Sequence, residues 1–177
     1  MNELTEKQFN RQVIYNGKII KVVKDEVVLP NNEHAFREVA YHNGGACAAV
    51  VDGDGIYFVK QFRYPFNDIV IELPAGKLEK GENPDLTIIR ELAEEIGVVP
   101  KKIEKVGIMY SSPGFTNEII HLYFVNEFEF TKTNPDEDEF LEIIKINKVK
   151  AYEMIKEGKI VDGKTICCLL QIKERIL

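Results

Sequence analysis

The sequence has no tryptophan, three cysteines, three histidines and five arginines in 177 residues, and most of these scarcities bear on function. Cys47, Cys167 and Cys168 are odd in number, two are adjacent, and no Cys-x-x-Cys occurs, so neither a disulfide framework nor a cysteine zinc site is expected. They read as small apolar core thiols of a reducing compartment. His34, His42 and His121 are scattered without His-x-x-x-His spacing, which argues against zinc hydrolase chemistry. Five arginines and a net charge of −6 argue against a general nucleic-acid binder. No apolar run approaches the ~20 residues that span a bilayer, so no membrane partner is expected. Residues 1–7 hold no apolar signal-peptide core, and the expectation is a cytoplasmic protein.

What is present is an ordinary globular composition, 45% hydrophobic and 29% charged, at a length that suits one domain with a small appendage. The acid is unevenly built, with 21 Glu against 8 Asp. Residues 12–42 are rich in β-branched residues, and the Pro30-Asn31-Asn32 turn signal makes them a small antiparallel meander. After Gly44-Gly45, the apolar run Ala46–Val51, the turn Asp52-Gly53-Asp54-Gly55 and the return run Ile56–Phe62 predict a buried hairpin. Further strands are expected at 69–73, 102–109, 119–130 and 141–146, with an acidic loop at 131–139. Helices are expected near 84–96, 148–156 and 164–176. The division is a β-rich N-terminal segment, 1–43, and an α/β domain, 44–177.

The first of these helices has Asn83 as N-cap, Pro84 in its first turn, Asp85 beside the positive end of the dipole and Gly97 as its stop. Leu86, Ile89, Leu92, Ala93 and Ile96 recur at helical spacing on one side, and Glu91, Glu94 and Glu95 are expected on the opposite arc. Glu91 and Glu95 are four apart and repel, and Arg90 offsets only part of that charge. Hard oxygen ligands crowded on a rigid helix suit Mg²⁺ or Mn²⁺ with a phosphate completing the shell.

The surroundings of the helix are more specific than its face. From Gly76 the chain reads Gly76-Lys-Leu-Glu-Lys-Gly-Glu82, seven residues, then Arg90-Glu91-Leu92-Ala93-Glu94-Glu95-Ile96-Gly97-Val98. This resembles the Nudix box, G-x5-E-x7-R-E-U-x-E-E-x-G-U with U apolar, and every specified position is filled. By composition, a chance match is on the order of one in a million per chain. The resemblance implies an α/β/α sandwich with a mixed β-sheet that hydrolyses a nucleoside diphosphate linked to another moiety. It assigns Glu91 and Glu95 as metal ligands, Glu94 as a ligand or water-bridging group, and the Ala75 carbonyl as a further ligand. Arg90 and Glu82 would fix these groups in place.

Other segments are similar to the ADP-ribose pyrophosphatase subgroup of that family. Pro113, with Gly114 in Ser111-Ser112-Pro113-Gly114-Phe115-Thr116-Asn117-Glu118, stands sixteen positions after Gly97. Gln61-Phe62-Arg63 and Ile71-Glu72-Leu73-Pro74-Ala75-Gly76 match the subgroup's approach to the box, and Phe36-Arg37-Glu38 matches its N-terminal layout. The resemblance makes Arg63, Glu72, Arg37, Pro113, Gly114 and Glu118 substrate contacts. It also implies a homodimer with exchanged N-terminal segments, Arg37 serving the partner's site. By the same resemblance, the general base is expected from the acidic loop, Glu139 first and Glu137 in reserve. The expected reaction is Mg²⁺-dependent cleavage of ADP-ribose to AMP and ribose 5-phosphate. The rivals are a hydrolase of another nucleotide sugar or dinucleotide, a non-catalytic ADP-ribose-binding sensor and a purely structural domain. Without tryptophan, the base would have to rest on Phe, Tyr or backbone.

Overall fold

The computed structural model describes residues 4–134 and 139–177, and contacts divide the chain into two compact units. The first comprises Met1–Gly44 with Tyr110–Ile119. Its strands β1 (Lys7–Asn16), β2 (Lys21–Val28) and β3 (His34–Tyr41) form an antiparallel sheet in that order, as the meander predicted. Alternation along β2 buries Val23, Asp25 and Val27 on one face. A carboxylate there needs a partner, and Arg11 donates from Nε and Nη2 to the two oxygens of Asp25 at 2.7 and 2.5 Å. The 110–119 stretch contributes a turn closed on Ser112, and its Phe115 carbonyl accepts from the Ala40 N–H at 2.7 Å.

The second unit comprises Gly45–Met109 and Ile120–Leu177. In chain order it is built from β4 (Gly45–Asp52), β5 (Gly55–Arg63), β6 (Asp68–Glu72), β7 (Ala75–Lys77), α1 (Pro84–Ile96), β8 (Val98–Pro100) and β9 (Glu104–Tyr110). There follow β10 (Ile119–Val125), β11 (Phe128–Phe130), β12 (Leu141–Asn147), α2 (Lys148–Lys156) and α3 (Gly163–Ile176). The main sheet runs β12-β5-β4-β10-β9, with β6 on β5 and β7 on β4. It is mixed, because β10 lies parallel to β4 while β12 is antiparallel to β5.

β4 is buried on both faces, as its nearly unbroken apolar run requires. Ala46, Ala48 and Val50 pack with Ile88, Leu92 and Ile96 of α1. Cys47, Ala49 and Val51 pack with Ala151 of α2 and Cys168, Leu169 and Ile172 of α3. The result is the expected α/β/α sandwich, and Cys47 and Cys168 are the core thiols that composition suggested. One expected strand is interrupted: 119–130 breaks at Asn126-Glu127, and β11 leaves to pair with β8. Among the described residues, no helix is long and apolar enough to cross a membrane.

Candidate active site

The site begins where a hairpin comes apart. β4 and β5 pair only next to their turn, at Val51–Ile56 and Asp52–Gly55. Beyond it β5 takes β6 as partner and β4 takes β7. The link between β6 and β7, Leu73-Pro74, is held by the Ala48 N–H on the Pro74 carbonyl at 3.0 Å. Glu72 therefore ends the strand paired with β5, and Ala75 begins the one paired with β4, directly before the Gly76 that opens the box.

Local chemistry fixes α1 over this point. The Asn83 side chain accepts from Asp85 N–H, Pro84 occupies the first turn, and Gly97 ends the helix at φ +63°, where a Cβ would be strained. Ile88 and Leu92 are wholly buried, each contributing roughly 1.5–3 kcal/mol to docking. The carboxylates do not lie opposite this face, as periodicity suggested. Glu91 and Glu95 are on its buried flank, 8% and 3% exposed, whereas Leu86 is 61% exposed. Periodicity alone assigns charge to solvent, and here two charges are turned inward.

Each inward carboxylate meets the backbone of β7. The Ala75 N–H donates to Glu95 Oε2 at 3.0 Å. A Cβ at Gly76 would stand 1.9 Å from Glu91 Cδ, so only glycine admits Glu91 here. Burial, and then the charges of Glu91 and Glu139, push the Glu95 carboxyl up to about 8 against the Ala75 hydrogen bond. Burial also raises Glu91, with Arg90 opposing and Glu94 and Glu139 adding to it. Arg90 Nη1 donates to Glu91 Oε1 and Glu94 Oε2, both at 2.9 Å, and Nη2 stands 3.7 Å from Glu82 Oε1. Glu82 accepts from the Glu79 N–H at 2.9 Å, which holds its carboxyl low and closes the box loop. Arg90 thus links Glu91 and Glu94 of the helix to Glu82 of the box loop.

A second cluster, at the ends of β5 and β6, was only half anticipated. Arg63 donates from Nε and Nη2 to both oxygens of Glu72, at 2.6 and 2.8 Å, and Glu72 is 2% exposed. Lys164 of α3 takes Glu72 Oε2 as well, and reaches Asp162 Oδ1 at 3.0 Å. Burial would raise Glu72, but Arg63 and Lys164 together hold it below the usual range. Lys164 was missed by sequence reasoning. The signal was a lysine in the first turn of a helix, where it opposes the dipole and needs a carboxylate.

The acidic loop starts from α1: Thr131 N–H bonds the Gly97 carbonyl at 2.8 Å and Asn134 N–H the Glu94 carbonyl at 3.0 Å. Glu139 is near enough to Glu91 and Glu95 for its charge to raise both. Glu137 lies outside the described residues. Arg37, Pro113, Gly114 and Glu118 belong to the first unit. There Arg37 is paired with Glu6, Pro113 and Gly114 are exposed in the Ser112 turn, and Glu118 is 3.2 Å from His42 Nδ1.

Among the described residues, no three His, Cys, Asp or Glu side chains are gathered closely enough to hold an ion, and Arg90 bonds both Glu91 and Glu94. The donor set still fits a hard divalent cation. It consists of carboxylate oxygens, two of them buried and raised in pKa, admitted by a glycine that leaves room for one of them.

The chain is similar to known proteins in both sequence and fold. The NUDIX domain model matches residues 41–166. The chain is 40% identical to the ADP-ribose pyrophosphatase of Bacillus subtilis (strain 168), over 99% of this chain and 98% of that protein. It is 39% identical to the methanol dehydrogenase activator of Bacillus methanolicus, over 97% and 95%. It is 32% identical to a GDP-mannose pyrophosphatase of Yersinia enterocolitica, over 76% and 75%. A crystal structure described as an ADP compounds hydrolase superposes with a TM-score of 0.87 at 13% identity, covering 98% of this chain and 95% of that one, and so shares the fold.

Proposed function

The chain belongs to the NUDIX family, and from that premise we propose that it hydrolyses ADP-ribose to AMP and ribose 5-phosphate with a divalent cation, Mg²⁺ first and Mn²⁺ as a substitute. The observation that carries the enzymatic reading is Glu95. A helix position 3% exposed would hold an apolar side chain if packing were its only task. A buried carboxyl raised to about 8 makes sense as a group waiting for positive charge. The substrate rests on the relatives, above all the B. subtilis pyrophosphatase matched along nearly its whole length.

Glu91 and Glu95, with Glu94 and the Ala75 carbonyl, would hold the cation, which would supply positive charge to neutralise the pyrophosphate and ease attack by water. Arg63 binds phosphate oxygens with the guanidinium edge that Glu72 leaves free. Arg90 and Glu82 keep the α1 carboxylates and the box loop in register. Glu139, with Glu137 as its alternate, takes the proton of the attacking water as the new P–O bond forms. The bridging P–O bond breaks, and its electron pair leaves with the departing phosphate. Arg37, Pro113, Gly114 and Glu118 supply the remaining substrate contacts, in a cytoplasmic homodimer that exchanges its 1–43 segments.

Purified protein with Mg²⁺ should release AMP from ADP-ribose, followed by chromatography against a panel of nucleotide sugars and dinucleotides. Failure to cleave any of them would sink the enzymatic reading. The GDP-mannose pyrophosphatase relative favours a second reading, another nucleotide sugar as substrate. Far faster cleavage of such a compound than of ADP-ribose would select it.

A further inference from the structure

Lys164 stands in the first turn of α3, where its charge opposes the helix dipole, and its side chain is only 15% exposed. Both facts cost stability unless the ammonium is needed there. Its partners explain the position. It bonds Glu72 and Asp162, and Asp162 also caps α3, accepting from Thr165 N–H at 3.0 Å and Thr165 Oγ1 at 2.6 Å. Thr165 Oγ1 in turn accepts from Leu73 N–H at 2.8 Å. The start of α3 is thereby fastened to the last residue of β6 and the first residue beyond it.

The charge arrangement matters as much as the fastening. Were Arg63 and Glu72 a simple pair, the carboxylate would cancel the guanidinium. With Lys164 on the same carboxylate and Asp162 on Lys164, the four groups carry no net charge, and Glu72 is shared between two cations instead of being held by Arg63 alone. The Arg63 side chain, 39% exposed, is the part of this cluster most open to solvent. It is also close enough to Glu95 for the two charges to act on each other.

We propose that Lys164 is a positioning residue for phosphate recognition: by sharing Glu72 it fixes the clamp that aims the Arg63 guanidinium at the substrate's phosphate oxygens. The inference rests on the pyrophosphatase reading and on Arg63 as a phosphate ligand, and a double-mutant cycle separates the three. Lys164→Met keeps the length of the side chain and removes its charge. It should raise KM for ADP-ribose roughly tenfold, the worth of one charge-assisted hydrogen bond, while kcat changes less than about threefold. Arg63→Ala should raise KM at least as much. In the Arg63→Ala background, Lys164→Met should add nothing further.

A KM that rises in Arg63→Ala but not in Lys164→Met overturns the role of Lys164. So does a Lys164→Met effect that persists undiminished without Arg63, which would mark a merely structural lysine. An unchanged KM in Arg63→Ala removes Arg63 as the ligand, and the inference with it. A wild-type protein inactive on every nucleotide tested overturns the underlying function instead. Should Lys164→Met fail to fold, Glu72→Gln with Lys164→Met removes the buried carboxylate and its ammonium together, and its KM must rise by a similar factor or the clamp is refuted.

Discussion

Replacing Glu95 with glutamine should make the metal-stripped protein more stable at pH 8 while abolishing its activity. Glu95 is nearly inaccessible, accepts one backbone N–H from Ala75, and has its carboxyl raised from an ordinary 4.5 to about 8. An acid whose pKa is higher folded than unfolded binds more protons in the folded state throughout the interval between the two values. Its contribution is complete below pH 4.5 and is lost as pH rises towards 8. At 1.36 kcal/mol per tenfold, the interval has a ceiling of ~5 kcal/mol, of which we expect roughly 3 kcal/mol to survive local relaxation. Glutamine keeps the shape and an oxygen to accept from Ala75, but never ionises. In EDTA at pH 8 the Glu95→Gln melting temperature should lie above wild type by roughly 6–12 °C, and at pH 5 the two should nearly coincide. Melting is best followed by circular dichroism, since the chain has no tryptophan for fluorescence. Added Mg²⁺ should stabilise the wild type and leave the variant almost unmoved, while kcat falls by orders of magnitude. A variant less stable than wild type at pH 8, or a stability gap independent of pH, would refute the account of Glu95 as a strained group held for a cation.

Gly76→Ala tests the other carboxylate. To move from 1.9 Å to an ordinary 3.4 Å contact, Glu91 must retreat by about 1.5 Å, which should cost roughly 10²-fold in kcat/KM and weaken Mg²⁺ binding, measured by steady-state kinetics at several Mg²⁺ concentrations. A variant within about threefold of wild type would show that Glu91 need not sit against β7. Glu139→Gln should lower kcat by ~10²–10⁴-fold with little change in KM, and Glu137→Gln much less. The reverse order in paired kinetic measurements would move the general base to position 137.

How much of this was legible in the sequence depended on whether the determining contacts were local. The cap of α1 by Asn83, its stop at Gly97 and the β4–β5 turn are set by neighbours in the chain, and the structure has them as read. The splitting of that hairpin was not legible, because β5 is claimed by β6 and β12 and β4 by β7 and β10, and pairing over such separations leaves no mark on either strand alone. The break at Asn126-Glu127 has the same origin, since β11 answers to β8. On α1 the hydrophobic period was real, but its centre was misplaced. Helical spacing puts Leu86 on the apolar side and the glutamates on the opposite arc, whereas Ile88 and Leu92 face the sheet with Glu91 and Glu95 beside them and Leu86 is exposed.

A sequence that folds well agrees with itself at every level, and departures gather where function demands them. Here they gather around one point of the second unit: two carboxylates on the buried flank of a helix, a glycine whose Cβ would strike one of them, and a third carboxylate sunk between Arg63 and Lys164. A lysine sits at the wrong end of its helix dipole. Each feature is unfavourable alone, and they come from β5, β6, β7, α1 and α3, elements with no local reason to share a defect. The simplest common cause is an anionic substrate bound together with a cation, for which buried acid supplies one half of the site and a charge-balanced arginine the other. On this account the excess of glutamate over aspartate is partly a record of chemistry. Reach matters as well, since the longer side chain lets α1 keep its backbone packed on Ile88 and Leu92 while Glu91 and Glu95 extend to the backbone of β7.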